Sequence, residues 1–291
     1  MGKLLLAAAV LAFGVALGQN QRAPLVNTGA PIRVELDCAF SDLEALGLAC
    51  PPASPCDAYL ELSAVESAGA RVFLMGNIHT DSVTIQTILL ATSDSAKTWN
   101  EPYARVRGAA LDRVQFFDNE TGWIGGQVVQ PLPRDPFFLK TSDGGATWRR
   151  YPVFSESRAG AVDRFRFDSK TSGLLWIDRG FAGETGGRYE RYESTTGGES
   201  WMLREAANRP PADAGAQRAQ EVWRLRPDGA AKAYRLERAA EGQWLTAASF
   251  LISLGQCKTQ PGVLAEPPSQ QAPEAPDMPA GNRPAPRRTK K

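Results

Sequence analysis

The sequence has only one histidine, His79, and this scarcity removes the chemistry that needs a pair of them. Histidine-rich zinc sites and paired histidine relays are excluded. The net charge is also close to zero, at +1, so no general basic field would hold the chain on nucleic acid. The sequence contains no phosphate-binding glycine loop, nucleophile elbow or dinucleotide fingerprint. We therefore expect no cofactor, no metal ion and no nucleic-acid partner.

Long hydrophobic runs are missing beyond the N-terminus. Residues 4–15 form one apolar run, which is shorter than the roughly 20 residues that a membrane-spanning helix needs. Lys3 stands before this run and Ala16, Leu17 and Gly18 follow it, a pattern typical of a secretory signal peptide. We expect cleavage after Gly18 and a secreted or periplasmic mature chain that is monomeric and has no transmembrane helix.

Cysteines are few and even in number: Cys38, Cys50, Cys56 and Cys257. Export would place them in an oxidising compartment, where three disulfide pairings are possible. A Cys50–Cys56 bond would close a short proline-rich loop. Cys38 and Cys257 would then tie the start of the folded region to its end. The spacing of the four residues fits no zinc motif.

The last part of the sequence, residues 258–291, predicts a disordered tail. Eight of the 31 residues from 261 to 291 are proline and few are large and apolar, so this stretch cannot bury enough surface to offset the entropy of ordering it. Its final residues are basic. Two interpretations stay open, a solvated tail and a weak contact with an anionic envelope surface.

A segment of eight residues recurs in the middle of the chain. Three copies end at Trp99, Trp148 and Trp201, and a degenerate fourth ends at Trp244, with steps of 49, 53 and 43 residues. The other three tryptophans lie 21 to 25 residues before the last three copies, which places all seven on two lines of one repeat. The residues that define the repeat are Asp94, Thr98, Trp99, Asp143, Gly145, Thr147, Trp148, Gly198, Trp201 and Trp244.

Each repeat predicts four short strands. Aromatic runs at 114–118 and 164–168 end in turns, a glycine-flanked strand follows at 122–126, and a third strand at 137–141 leads into the eight-residue segment. Four strands in 40 to 50 residues are typical of a propeller blade. We predict an all-β propeller of four to five four-stranded blades at 57–257, after a lead-in at 19–56. Residues 32–38 would complete the fifth blade beside residues 250–254.

The eight-residue segment explains a turn better than it explains a ligand site. A short Asp side chain accepts backbone N–H bonds within the turn, and paired glycines adopt positive φ without a Cβ penalty. The tryptophan that ends the segment places a large apolar ring between neighbouring sheets. Every part of the motif therefore has a structural role.

This segment resembles the Asp-box, also called the bacterial neuraminidase repeat. The string 117–126 followed by 139–148 is more specifically similar to propellers of the photosystem II stability/assembly-factor type. The likeness covers residues 57–250 and is strongest in the second copy. Ser95 and Ala96 replace the two glycines in the first copy, Thr196 replaces Asp in the third, and Ala239 stands in its place in the fourth. The resemblance implies a sialidase-superfamily fold with the boxes on blade-edge turns, away from the ligand face.

Two functions are compatible with such a fold, because fold alone does not set function. The first is an exported, non-catalytic, assembly-factor-like propeller that binds a partner protein or glycan. The alternative is a glycoside hydrolase of sialidase type, which the resemblance associates with an arginine cluster, a Tyr with an acidic partner and an acid/base Asp. Close acidic sets occur at Asp118 with Glu120, and at Glu184 or Glu190 with Glu193. Spacing places none of them in one cleft, so we nominate no catalytic residue.

Arg134 and Asp135 are candidates for partner contact. They lie in the segment 127–136, which lengthens the second repeat with three prolines and places charge on a loop. Loops on rigid scaffolds often carry recognition, although a plain surface turn would have the same composition.

Overall fold

The computed structural model describes residues 22–180, 186–209 and 222–258. The predicted signal peptide and the predicted tail beyond Lys258 lie outside these ranges. The lead-in forms a short strand β1 (Leu25–Val26) and a helix α1 (Phe40–Ala45), in which Leu43 is fully buried. Within the described ranges, no helix has both the length and the apolar character needed to cross a membrane.

Blade 1 begins where the lead-in ends. Its antiparallel strands are β2 (Cys56–Ala68), β3 (Arg71–His79) and β4 (Thr84–Thr92), and the first Asp-box connects β4 to β5 (Thr98–Trp99). A bridge between Ala91 and Asn100 holds the chain after β5 beside β4. The lead-in strand β1 pairs with β5 and so forms the outer edge of this blade.

Blades 2 and 3 are regular four-stranded antiparallel sheets with their strands in chain order. In both, the Asp-box connects the third strand to the fourth. Their strands are β6 (Ala109–Phe116), β7 (Gly122–Val128), β8 (Arg134–Thr141) and β9 (Arg149–Pro152), then β10 (Ala161–Phe167), β11 (Gly173–Asp178), β12 (Tyr189–Ser194) and β13 (Met202–Ala207).

Blade 4 has three strands in the described part of the chain: β14 (Trp223–Asp228), β15 (Ala233–Ala240) and β16 (Gln243–Leu251). After one residue the chain enters β17 (Ser253–Cys257), which leaves blade 4 and pairs with β2 of blade 1. The last strand of the described chain therefore belongs to the first blade. This exchange ties blade 4 to blade 1.

Three buried apolar clusters fix the order of the blades as 4, 1, 2 and 3. One joins blade 4 and the lead-in to blade 1, the second joins blades 1 and 2, and the third joins blades 2 and 3. Two interfaces also share a polar device, because the side-chain oxygen of Asn77 accepts the Leu111 N–H and that of Gln127 accepts the Val162 N–H. The prediction of an all-β propeller with four-stranded blades is confirmed.

The segment predicted to complete a fifth blade has a smaller role. Residues 32–38 form no strand, and only Ile32 makes a bridge, parallel to Phe250 of β16. The Ile32 N–H donates to the Ser249 carbonyl at 2.7 Å, and the Leu251 N–H donates to the Ile32 carbonyl at 2.9 Å. The predicted contact with blade 4 is therefore present, but as one bridge rather than as a blade.

The structure joins Cys38 to Cys257 and Cys50 to Cys56, which is the pairing expected from the sequence. The first bond links the lead-in to β17, so it fastens the strand exchange between blades 1 and 4. The second closes a loop of a few residues just before β2. Both bonds therefore lie near the pairing of β17 with β2, and they close loops of very different length.

The tryptophan registers of the sequence hold only for the first three boxes. Trp244 does not follow a third strand; it starts β16 after a tight turn in which Glu241 and Gly242 have positive φ, between the second and third strands of blade 4. This hairpin resembles the box in its Gly and Trp alone. Trp176 also does not occupy the place of Trp123. Gly173 pairs with Phe167 in blade 3 as Gly122 pairs with Phe116 in blade 2, so the residue that corresponds to Trp123 is Leu174.

Removal of each disulfide is expected to have a different cost. In the chain-entropy description, opening the Cys38–Cys257 loop of about 220 residues costs about 5 kcal/mol, whereas opening the Cys50–Cys56 loop costs about 2 kcal/mol. We expect the Cys38→Ser/Cys257→Ser variant to lose more unfolding free energy than the matched Cys50→Ser/Cys56→Ser variant. Urea denaturation under non-reducing conditions measures both. Equal losses would contradict a closing role for the longer bond.

Candidate binding site

The Asp-box of blade 2 is a closed hydrogen-bonded turn. Asp143 accepts bonds from the Thr147 N–H at 2.9 Å, the Thr147 hydroxyl at 2.7 Å and the Thr141 hydroxyl at 2.8 Å. The Gly145 N–H, at positive φ, donates to the Thr141 hydroxyl. Burial opposes ionisation of Asp143, but the bonds from Thr147 and Thr141 outweigh it and lower the pKa of this carboxyl. The Asp143 carboxylate is thus engaged by hydrogen bonds within its own turn.

The other two boxes keep this geometry with different residues. In blade 1, Asp94 accepts bonds from the Thr98 hydroxyl, which contributes most to its lowered pKa, and from the Thr98 N–H. Ser95 and Ala96 adopt the positive φ that glycines have elsewhere. In blade 3, Thr196 replaces the aspartate and its hydroxyl accepts the Ser200 N–H at 2.9 Å. Gly198 donates to the Ser194 hydroxyl as Gly145 does to Thr141.

The three box tryptophans pack against the preceding blade. Trp99 meets Phe250 of blade 4, Trp148 meets Phe73 of blade 1, and Trp201 stacks on Phe138 of blade 2, with ring centroids 5.2 to 5.8 Å apart. Trp99 and Trp148 are buried between sheets and Trp201 is partly buried there, so all three act in packing between blades. Trp244 is different, because the guanidinium of Arg224 in its own blade lies 4.1 Å from its ring centroid.

The acidic residues singled out in the sequence are engaged with cations. Lys170 lies 2.8 Å from Asp118 and 3.5 Å from Glu120, and its bond to Asp118, with N–H bonds from Thr121 and Glu120, lowers the pKa of Asp118 to about 2. Glu193 pairs with Arg191 and Arg204. Glu184 lies outside the described residues. Within the described chain, no three metal-ligating side chains form a candidate metal site.

A tyrosine with an acidic partner is present in blade 3, but it is buried. The Tyr192 hydroxyl donates to Glu190 at 2.5 Å, and Arg179 lies 3.5 Å from the same carboxylate oxygen. Burial and the negative charge of Glu190 both raise the pKa of Tyr192, the opposite of nucleophile activation. Arg179 and Glu190 are each 2% exposed in their side chains, so a sugar cannot reach them in this structure. The trio is a structural network.

Two aspartates missed in the sequence lie on the first strands of neighbouring blades. Asp112 and Asp163 each stand at a register irregularity, in β6 and β10. Burial raises the pKa of Asp112 and nearby Glu61 raises it further, against a bond from the Gln127 amide at 2.5 Å. The two aspartates are 51 residues apart, close to the repeat length. That spacing is the sequence signal that could have pointed to these two aspartates. The irregular register gives them interest, because bulges beside a functional site often redirect a side chain.

Arg134 and Asp135 open β8 and have unequal exposure to a partner. Asp135 accepts bonds from the Arg158 N–H at 2.9 Å and the Ser157 hydroxyl at 3.1 Å, which holds the loop after β9. Arg134 keeps 47% of its side chain exposed, 3.7 Å from Asp135. The structure thus leaves Arg134 on the surface and uses Asp135 within the fold.

Blade 4 has an incomplete outer edge among the described residues. On its inner side β16 pairs with β15, and on its outer side the only pairing among the described residues is the bridge to Ile32. A cleft of about 350 Å³ lies beside this edge, between residues 246–249 of β16 and residues 95–97 of the first Asp-box. The Asn27 side chain crosses one end, donating to Ala247 at 2.8 Å and to Ala96 at 2.9 Å.

The chain resembles known propellers in fold only. No protein-family model matches the sequence, and no curated protein matches it. Among solved structures, it is similar to YCF48 bound to D1 peptide, at 17% identity and a TM-score of 0.38 over 69% of this chain and 59% of that one. It is also similar to the GH74 xyloglucanase from Xanthomonas campestris, at 15% identity and a TM-score of 0.39 over 64% of this chain and 30% of that one. The chain thus spans less than two thirds of either protein.

The box carboxylate predicts a pH-dependent contribution to stability. Because folding lowers the pKa of Asp143, its contribution is present above the unfolded value of about 4 and is lost as the pH falls through the folded value. Asp143→Thr copies the natural box of blade 3. We expect this variant to fold and to lose less melting temperature than the parent between pH 7 and pH 3. Thermal unfolding monitored by circular dichroism measures this, with Thr196→Asp as the reciprocal variant. An unchanged pH response in Asp143→Thr would refute the assignment.

Proposed function

We propose that this protein is an exported, non-catalytic propeller that binds a partner protein through its incomplete fourth blade. The observation that carries the proposal is the cleft beside β16, where blades 2 and 3 have a fourth strand and blade 4 has none among the described residues. Backbone groups and small side chains line this cleft, which suits recognition of a polypeptide better than bond cleavage.

Export is supported by the disulfides and by the N-terminal sequence. Four cysteines in two bonds are typical of proteins that mature in an oxidising compartment, and none of the four remains free. The predicted signal peptide at 1–18 gives the route. The disulfides and the predicted signal peptide together support an extracytoplasmic location.

A glycosidase is the second candidate, and Asp112 is the observation that favours it. Asp112 is a partly buried carboxyl whose pKa is raised by burial and by nearby Glu61, and a carboxyl with a raised pKa is suited to act as the general acid of a glycosidase. A sialidase-type site is less well supported, because the Tyr192–Glu190 pair is buried. One similar structure holds a peptide and the other is a xyloglucanase, so likeness in fold does not choose between the candidates.

Partner binding is tested with the tagged mature chain and the exported proteins of its source. We expect a saturable complex with one protein that survives enzymatic removal of glycans. Thr246→Arg, which fills the cleft, is expected to weaken this complex about tenfold or more, as loss of a central contact does. Arg134→Ala serves as the matched comparison. If Arg134→Ala abolishes binding and Thr246→Arg leaves it intact, the contact lies on the β7–β8 loop instead.

Catalysis is tested separately with a panel of fluorogenic glycosides that includes a sialoside and a β-glucoside. We expect no turnover above the rate of a heat-denatured control. Turnover that is lost in Asp112→Asn but kept in Glu120→Gln, an exposed carboxylate outside the Asp112–Glu61 pair, would establish the glycosidase and overturn the proposed function. Melting curves of both variants exclude unfolding as the cause.

A further inference from the structure

We propose that the outer edge of β16 accepts an extended segment of a partner protein, which adds to blade 4 as its fourth strand. This inference rests on the proposed function and names the mode of binding. In β-strand addition, main-chain hydrogen bonds supply affinity and alternate side-chain pockets supply specificity. The edge of blade 4 presents the conditions that this mode requires.

The first condition is a strand edge whose pairing has begun but stops. The backbone of Ile32 forms hydrogen bonds with Ser249 and Leu251 at the C-terminal end of β16. The side-chain amide of Asn27 donates to the Ala247 carbonyl. Before Ala247, at residues 243–246, no strand of the described chain continues this outer ladder. A strand that enters the cleft would extend a ladder that already has its first bridge, so its register would be fixed at one end.

The second condition is the absence of protection against pairing. Folded sheets guard their edges with charged residues and proline. The outer strand of blade 2 carries Arg149, Arg150 and Pro152, and that of blade 3 carries Arg204 and Glu205. Residues 243–249 contain no charge and no proline. Among the outer strands of blades 2, 3 and 4 in the described structure, that of blade 4 is therefore the one that lacks these guards.

The side chains around the edge indicate what kind of segment fits. Leu245 on β16 is 55% exposed and offers an apolar contact at the open end. Ser95 and Ala96 leave room in the opposite wall, and Lys97 places the one cation of the lining there. A segment with small apolar residues at alternate positions and a carboxylate near Lys97 matches this surface in shape and charge.

Two segments of this sequence outside the described ranges, residues 210–221 and 261–291, are poorly suited to the edge. Residues 261–291 contain eight prolines, which cannot donate ladder hydrogen bonds. Residues 210–221 contain no β-branched or aromatic residue and lead directly into β14. The occupant we infer is therefore a strand from another protein.

The experiment uses the full mature chain and a peptide selected on it. A random library of displayed 12-residue peptides is panned on the protein, and the strongest binder is synthesised with a fluorescent label. We expect Leu245→Lys to weaken its binding about tenfold or more, because a charge on the edge opposes pairing. Met202→Lys is the matched control, since Met202 is 59% exposed on the outer strand of blade 3. If Leu245→Lys lowers the melting temperature, Thr246→Lys replaces it.

A scan of backbone N-methylation in the peptide distinguishes strand addition from other modes. Only alternate N–H groups of an added strand face the edge, so methylation is expected to abolish binding at every second position and to be tolerated between them. Equal tolerance at all positions, or full binding to Leu245→Lys, overturns the inference while the proposed function stands. A concentration-dependent dimer that Leu245→Lys dissolves would assign the edge to a second copy instead. Failure of both peptide selection and partner capture, with glycoside turnover, would refute the proposed function itself.

Discussion

The packing of each box tryptophan on a phenylalanine of the preceding blade is the contact on which this structure depends. A propeller blade is a sheet with two faces, and each face needs a neighbour to cover it. Trp99, Trp148 and Trp201 supply that cover at three successive interfaces. The Asp-box holds these rings in place, because its closed turn fixes the position of the tryptophan and the start of the fourth strand. Local turn chemistry thereby sets the order of whole blades.

The same requirement explains the far face of blade 3. Leu175 and Ile177 face blade 2 and are fully buried, whereas the alternate residue Trp176 is only half-buried and lies opposite Arg191. Arg191 in turn pairs with Glu205 at 3.1 Å. A terminal repeat with a polar outer face is a usual way to end an array without exposing a core. Among the described residues, no apolar cluster joins blade 3 to blade 4.

Sequence periodicity predicted the blades well and the candidate binding surface poorly, for a physical reason. Trp148 and its turn are specified within eight consecutive residues, so a local pattern reveals them. Trp244 has a similar local pattern but starts a third strand, because strand order depends on pairing that a single sequence does not display. The disulfide pairing could be predicted because closure of the stiff loop between Cys50 and Cys56 leaves Cys257 as the one partner for Cys38. The cleft beside β16 was not, since it lies where blade 4 has no fourth strand among the described residues.

Strand exchange between the ends of the chain accounts for that gap. In blades 2 and 3 the third strand turns through an Asp-box and returns as the fourth. After β16 the chain instead passes through one residue into β17, pairs with β2 and is fastened by the Cys38–Cys257 bond. The segment that would otherwise form the fourth strand of blade 4 therefore pairs with blade 1. Because the closing strand cannot serve both sheets, its pairing with β2 leaves blade 4 without a fourth strand in the described part of the chain. Because that edge also lacks the charges and proline of the outer strands of blades 2 and 3, it is the edge to which we propose that another strand adds.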